Sequence, residues 1–106
     1  MAEVKDKARI TTDGDYEVKG LIQGRIYMIG LFYEGGTGSM AVKQSVDDGT
    51  AQVVYDESDV AISITKTTQQ FQAIQLAGDT INFTISSASD LNAVLRCFPV
   101  PHGYSL

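Results

Sequence analysis

The side chains that could carry catalysis are few, and none falls at a spacing that forms a catalytic pair. His102 is the only histidine and lies between Pro101 and Gly103, with no Asp, Ser or Cys near enough in sequence to recruit it. Cys97 is the only cysteine, and its inward parity on a predicted strand indicates a buried thiol that behaves as a small hydrophobic group. Catalysis needs a nucleophile, a base and an orienting group that converge. We therefore predict that the protein is not an enzyme and that His102 is a surface residue.

Metal and phosphate sites are likewise not predicted. Two groups of carboxylates could offer oxygen ligands, Asp13 with Asp15 and Glu17, and Asp56 with Glu57 and Asp59. Ca²⁺ takes about six to eight oxygens, and neither group has the glycine placement of an EF-hand loop. The run EGGTG at 34–38 lacks the Lys-Ser/Thr ending of a phosphate loop and precedes a strand rather than a helix. We expect no metal ion and no cofactor.

The size and charge of the chain limit its partners. At 106 residues it supports one domain with one core. Its net charge of −5 disfavours binding to nucleic acid. Basic residues concentrate in the first quarter, and acidic residues cluster between positions 47 and 59. The simpler interpretation is a solvated surface with unevenly placed charge; the alternative is a dipole that steers docking onto a partner.

Nothing in the sequence directs the chain into or across a membrane. Residues 1–9, MAEVKDKAR, are charged and do not have the pattern of a signal peptide. No apolar run has the length that spans a bilayer. One cysteine cannot form an internal disulfide. We expect a protein that is made in the cytoplasm and has no membrane partner.

Apolar residues alternate between clusters of Gly and Asp, which predicts strands and no helix of useful length. The central stretch is 16–33, YEVKGLIQGRIYMIGLFY, with a short strand, a turn and the longest strand at 25–33. Further strands are predicted at 8–12, 40–45, 51–55 (Ala51, Val53 and Tyr55 on one face), 60–65, 71–76, 81–86 and 91–97. About eight strands at regular spacing favour an all-β fold, an antiparallel β-sandwich or barrel. The runs 34–38 and 86–90 are predicted to be a flexible connection and a turn.

Two strands have unusual patterns. The strand 25–33 is apolar on both faces, with Ile26, Met28 and Phe32 against Tyr27, Ile29 and Leu31. Such a strand is either central or carries a surface for a partner. Gly30 in its middle indicates a bulge or a close backbone approach. In 71–76 the apolar residues change from one face of the strand to the other, which predicts a bulge near Ala73.

The two ends are predicted to differ from the sandwich domain, 10–97. Residues 1–9 are predicted to be an arm. Residues 98–106, FPVPHGYSL, contain two prolines and cannot form a central strand. The apolar side chains of this tail pack either on the domain itself or on a neighbouring subunit, and both interpretations remain open.

Several short motifs resemble a known family. They are Ile10-Thr11-Thr12, the run 14–18 (GDYEV), Gly20-Leu21, Gly24-Arg25 and Tyr27. Together they resemble the opening T-x-x-G-x-Y-x-V-x-G-L-x-x-G-R-x-Y of small structural proteins of tailed bacteriophages, which begins a jelly-roll-like sandwich. Segments 39–44, 47–49 and 91–95 fit the same plan. The resemblance therefore covers most of residues 8–98.

The resemblance implies a capsid decoration (cement) protein on the virion surface, made in the host cytoplasm. It would stabilise the head by binding between major capsid protein subunits, as a homo-oligomer, with a trimer favoured and a dimer as the alternative. We expect Lys5, Lys7 and Arg9 to anchor it electrostatically, and Phe98, Val100, Tyr104 and Leu106 to make the apolar contact. The alternative is a carbohydrate-binding or receptor-binding module of a phage tail or fibre, with Tyr33, Tyr55 and the acidic loops as its only candidates.

Overall fold

A computed structural model describes residues 2–56, 58–67 and 70–101, and it places them in one open, all-β sheet. The strands are β1 (Ala2–Glu3), β2 (Lys7–Ile10), β3 (Gly14–Val18), β4 (Ile26–Ser45), β5 (Gln52–Val53), β6 (Ser63–Thr65), β7 (Phe71–Gln75) and β8 (Thr80–Pro99). All pairings are antiparallel except β1 with β3, which is parallel. The prediction of an all-β antiparallel domain is confirmed. Within the described ranges, no helix is long and apolar enough to cross a lipid bilayer.

Two strands of 20 residues each, β4 and β8, form the centre of the sheet. They pair along their whole length, from Tyr27 opposite Pro99 to Ser45 opposite Thr80. At one end β2 flanks β8 and β7 flanks β4, and we call this four-stranded part the first half. At the other end β3 flanks β8, and β5 and β6 flank β4; we call this part the second half. The same two strands therefore run through both halves.

The predicted connection at 34–38 and the predicted turn at 86–90 are both wrong, because these segments lie inside β4 and β8. Their Gly and Ser residues do not end the strands but form an irregular stretch where the two strands pair with shifted register. Three register shifts follow one another between Tyr33 and Ser39. Gly36, Ser87 and Asp90 have positive φ angles there. Such bulges bend and twist a strand without ending it.

The close backbone approach predicted at Gly30 is confirmed, whereas the bulge predicted near Ala73 is wrong. A Cβ atom at Gly30 would lie against the Gln70 carbonyl oxygen and 2.5 Å from Phe71 Cδ1. Strand β7 pairs with β4 in continuous register, so Phe71 and Ala73 share the outer side while Ile74 is buried. No bulge is present, because both faces of β7 carry apolar residues, Phe71 and Ala73 on one face and Ile74 on the other.

The N-terminal segment, predicted as an arm, contributes two strands to the sheet. Lys7–Ile10 pairs with β8, and Ala2–Glu3 pairs with β3. The Val4 amide extends the second contact by donating to the Glu17 carbonyl at 2.8 Å.

One hydrophobic core joins side chains from both halves of the sheet. Its fully buried members include Ile10, Ile29, Leu31, Met40, Val42, Ile64, Ile81, Phe83, Ile85 and Leu95. In 51–55, Val54 is the residue that joins the core, while Val53 and Tyr55 are exposed. The Val54 amide donates to the Val42 carbonyl, and its carbonyl accepts from the Ile62 amide, so these bonds set the register. A shift of one residue reverses every side chain of a strand.

Candidate protein-binding face

The outer surface of the first half brings together residues from β2, β8 and β4. Their register places Lys7 beside Arg96, Arg9 beside Val94, and Val94 beside Phe32. Further along β8 and β4, Arg96 lies beside Gly30 and Phe98 lies beside Met28. We call the set the basic–aromatic face, and it comprises Lys7, Arg9, Met28, Phe32, Val94, Arg96 and Phe98.

The apolar residues of this face are not covered by the part of the chain that the structure describes. Phe32 is 54% exposed, and Met28, Val94 and Phe98 are half-buried. The inward residues of the same strand, Ile29 and Leu31, are fully buried. The second apolar side of β4, a strand that is also central in the sheet, is therefore a surface open to solvent beside the described residues.

The cations of the face are placed in a way that favours an anion beside them. Lys7 lies directly opposite Arg96, and like charges at such a position destabilise a sheet. The Arg96 guanidinium lies 5.0 Å from the centre of the Phe98 ring. Its Nε atom is buried and has no hydrogen-bond partner among the described residues. A carboxylate beside Lys7 and the Arg96 guanidinium would reduce the repulsion between these two cations.

Arg9 differs from the other two cations because it already has partners. Its Nη1 atom donates to Glu34 Oε1 and, at 2.6 Å, to Asn92 Oδ1. A depression of about 470 Å³ separates these side chains, lined by Lys7, Ala8, Arg9, Phe32, Val94 and Arg96. An aromatic and aliphatic floor surrounded by cations suits a partner that has both an apolar and an acidic component.

Of the remaining predicted contact residues that the structure describes, Val100 does not join this face. Lys5 is exposed in the bend between β1 and β2. Val100 is only 6% exposed, its amide donates to the Ile26 carbonyl at 3.1 Å, and its carbonyl accepts from Arg25 Nη2 at 3.3 Å. Its apolar surface packs on the protein's own sheet, so it is not available to a partner. Tyr104 and Leu106, like His102, lie outside the described residues.

The candidate cation ligands have structural hydrogen bonds instead. Asp13 Oδ1 accepts from the Ala88 amide, and Asp15 Oδ1 accepts from Thr84 Oγ1, both at 2.8 Å. Asp56 Oδ1 accepts from the amides of Ser58 and Val60. Among the described residues, which exclude Glu57, no three ligand-type side chains converge on a common point.

The two tyrosines named as sugar-contacting candidates have different environments. The Tyr33 hydroxyl donates to the Gly38 carbonyl at 2.7 Å, and partial burial raises the pKa of this phenol. Tyr33 therefore holds the irregular stretch of β4 together. Tyr55 is 59% exposed and is the one of the two that a ligand can reach.

Cys97 is buried on the inner side of β8, as its parity predicted. Burial, together with the nearby Asp6 charge, raises the pKa of this thiol from 9.0 to about 12. Between about pH 9 and 12 the unfolded chain loses a proton that the folded chain keeps, so this group lowers stability as pH rises through that window.

We expect Cys97 to resist thiol reagents in the native protein. At about pH 8.5 its labelling by Ellman's reagent should be at least about 100-fold slower than in the unfolded chain, because almost no thiolate is present. The measurement compares labelling rates with and without denaturant. Equal rates would contradict the buried position of this side chain.

Sequence reasoning named Lys7, Arg9 and Phe98, and the structure brings these three together. It did not name Phe32, Val94 or Arg96 as contact residues. Their signals were present, since β4 is apolar on both faces and the alternation of 91–97 directs Arg96 outward. The chain matches no known protein-family model, no curated protein and no solved structure.

Proposed function

We propose that this chain is a non-enzymatic structural protein of a tailed-phage virion, a decoration protein that stabilises the assembled head on its outer surface. The observation that carries the proposal is the basic–aromatic face, an apolar sheet surface surrounded by Lys7, Arg9 and Arg96. A sheet surface of this kind is buried by another protein in an assembly. The sequence resemblance supplies the setting in which that assembly is a capsid.

We extend this proposal to the way in which the two halves of the sheet pack against each other. The two halves of the sheet would stack face to face as a jelly-roll-like sandwich, with the irregular middle of β4 and β8 forming the bend. What supports this arrangement is the single core that joins residues of both halves, such as Leu31 and Leu95 in the first with Val42 and Phe83 in the second.

The mechanism is stabilisation by selective binding. A protein that binds major capsid protein subunits only in the assembled lattice shifts the equilibrium toward that lattice. Symmetry repeats the same contact over the shell, and a homo-oligomer can engage several sites at once, so a weak individual contact becomes a strong collective one. No catalytic group is needed for this role.

Cosedimentation with empty shells of the associated major capsid protein tests the proposal. Wild-type protein is expected to pellet with the shells at a saturating, fixed copy number. Lys7→Glu should bind the shells at least about tenfold more weakly. The new carboxylate lies opposite Arg96 and reduces the positive charge that the face presents to a partner. This exchange is better than removal of residues 1–9, which would also delete most of β2.

Lys66→Glu provides the matched control, since it makes the same charge change at an exposed position outside the face. It should bind shells like the wild type. Absence of wild-type protein from the shell pellet would overturn the decoration role. Equal binding of the Lys7→Glu variant would show instead that another surface makes the contact.

A further inference from the structure

Strand β7 is an edge of the open sheet, because among the described residues it pairs with β4 alone. The Leu31 amide donates to the Gln70 carbonyl at 3.0 Å, immediately before β7 begins. Hydrogen bonds alternate along an antiparallel pair, so every second residue after Gln70 also bonds to β4. Ala73 and Gln75 belong to the other set. Their backbone amide and carbonyl groups therefore point away from the sheet.

The side chains of β7 leave this outer backbone accessible. A Cβ atom at Gly30 would lie 2.5 Å from Phe71 Cδ1, so the Phe71 ring lies over β4 and not beyond the edge. Gln75 Nε2 donates to the Gly24 carbonyl at 3.1 Å, which turns this side chain back toward its own chain. Ala73, between them, has only a methyl group. A further strand can therefore approach β7 closely.

Strand β7 also lacks the features that usually prevent edge strands from pairing with other chains. Those features are charged side chains, proline and bulges. Between Lys66 and Asp79 the sequence has no charged residue and no proline, and the register of β7 with β4 is continuous. The run 71–75, FQAIQ, combines strand-forming residues with glutamine. This composition is typical of segments that pair with copies of themselves.

The other edge strands of the described sheet are charged or short. Strand β2 carries Lys7 and Arg9, and a two-fold contact along it would bring like charges together. Strands β1 and β5 have two residues each, and β6 has three. With five residues, β7 is the longest edge strand in the part of the chain that the structure describes.

We propose that β7 of one copy pairs antiparallel with β7 of a second copy, across a two-fold axis at Ala73. The amide of each Ala73 would donate to the carbonyl of the other. A two-fold contact brings each residue near the axis close to its own counterpart. An uncharged strand tolerates this arrangement, whereas a charged strand repels its copy.

The bonds that β7 already makes favour the register centred on Ala73. A register centred one residue later, at Ile74, would use the Ala77 amide as an outer donor. This amide already donates to Gln44 Oε1 at 3.0 Å within its own chain. The Ala73 register leaves that bond intact.

The pairing would join the two four-stranded first halves into one continuous sheet. Residues that lie opposite each other on paired strands point to the same side of a sheet. The basic–aromatic faces of both copies would therefore lie on one side of the joined sheet. A dimer would present two faces to a shell and bind it more tightly than a monomer. This consequence rests on the proposed function, whereas the contact between copies does not.

Sedimentation equilibrium of the full chain, without shells, tests the contact. Wild type is expected to form reversible dimers at up to about 1 mM protein. It should form nothing larger, because the pairing occupies the β7 edge of both copies. Added salt should leave the dimer equilibrium nearly unchanged, since no charged side chain lies on β7.

Two charge variants at the axis test the register. Ala73→Lys and Ala73→Glu each place a charge opposite its own copy, so each alone should dimerise at least about fivefold more weakly than wild type. An equal mixture places lysine opposite glutamate. Its heterodimer should form at least about fivefold more tightly than either homodimer of the variants. Recovery in the mixture would also show that both variants fold.

Gln52→Lys is the matched control for Ala73→Lys. It adds the same charge at an exposed position on another edge strand, β5. This variant should dimerise like the wild type. Weakening as large as that in Ala73→Lys would mean that added charge acts without regard to its position, and it would reject the assignment to β7.

Three further results would overturn the inference. They are a wild-type chain that stays monomeric over the whole concentration range, association that continues past the dimer, and a mixture that dimerises no more tightly than the separate variants. A monomeric chain that pellets with shells would leave the decoration role intact and reject the pairing of β7. A dimer that does not pellet with shells would support the pairing and reject the decoration role.

Discussion

Gly36→Ala is expected to lower the free energy of unfolding by about 3 kcal/mol, whereas Gly35→Ala should change it by less than about 1 kcal/mol. Gly36 has φ +73°, a left-handed conformation that is costly for residues with a Cβ atom. A Cβ there would also contact the Asp90 carbonyl and lie 2.6 Å from the Leu91 amide nitrogen. Both effects act at the point where β4 and β8 pair irregularly.

Urea unfolding of both variants measures the difference, and Gly35→Ala is the matched control. A Cβ at Gly35 meets no atom within 4 Å, and this residue has no positive φ. The urea concentration at the midpoint of unfolding should fall sharply for Gly36→Ala alone. The slope of the free energy of unfolding against urea concentration, which reports the surface exposed on unfolding, should change little. Equal midpoints for the two variants would mean that β4 and β8 do not approach each other at this bend.

Phe83→Ala is expected to cost about 3–5 kcal/mol, the range for removing a large aromatic side chain from a packed core. Phe83 is fully buried, on the central strand β8 between Tyr16 of β3 and Val42 of β4. A domain of this size has a total stability of about 5–15 kcal/mol, so the variant would be close to unfolding at ordinary temperature.

Phe32→Ala makes the same chemical change at an exposed position and should alter stability by about 0.5 kcal/mol or less. Thermal unfolding followed by circular dichroism compares the two variants. Phe32→Ala should nevertheless weaken the contacts made by the basic–aromatic face. A large loss of stability in Phe32→Ala would show that this ring belongs to the core and not to a binding surface.

Much of the strand content could be predicted because alternation of apolar and polar residues reports burial directly. Ile81, Phe83 and Ile85 alternate inward as expected, and so do Ile62 and Ile64. The two long strands could not be predicted because composition alone does not show whether Gly-rich and Ser-rich runs end a strand or bend it. That outcome depends on pairing between 34–38 and 86–90, which are far apart in sequence.

The second feature that could not be predicted was which alternate residues of a strand face the core. In 51–55 either of two alternating sets could face inward, and the choice was made by hydrogen bonds of Val54 to Val42 and Ile62. The exposure of Tyr55 follows from that choice of register. The basic–aromatic face was partly predictable from Lys7, Arg9 and Phe98. Its location on one sheet surface required the register between β2 and β8.

The continuity of β4 and β8 has a consequence for how the molecule unfolds. Because each of these strands contributes to both ends of the sheet, neither end has a complete set of strands that could fold independently. Separation of one end of the sheet would remove hydrogen-bond partners and core contacts from the other end. We therefore infer a single cooperative transition, with amide hydrogens near Leu31 and Phe83 exchanging through the same global opening.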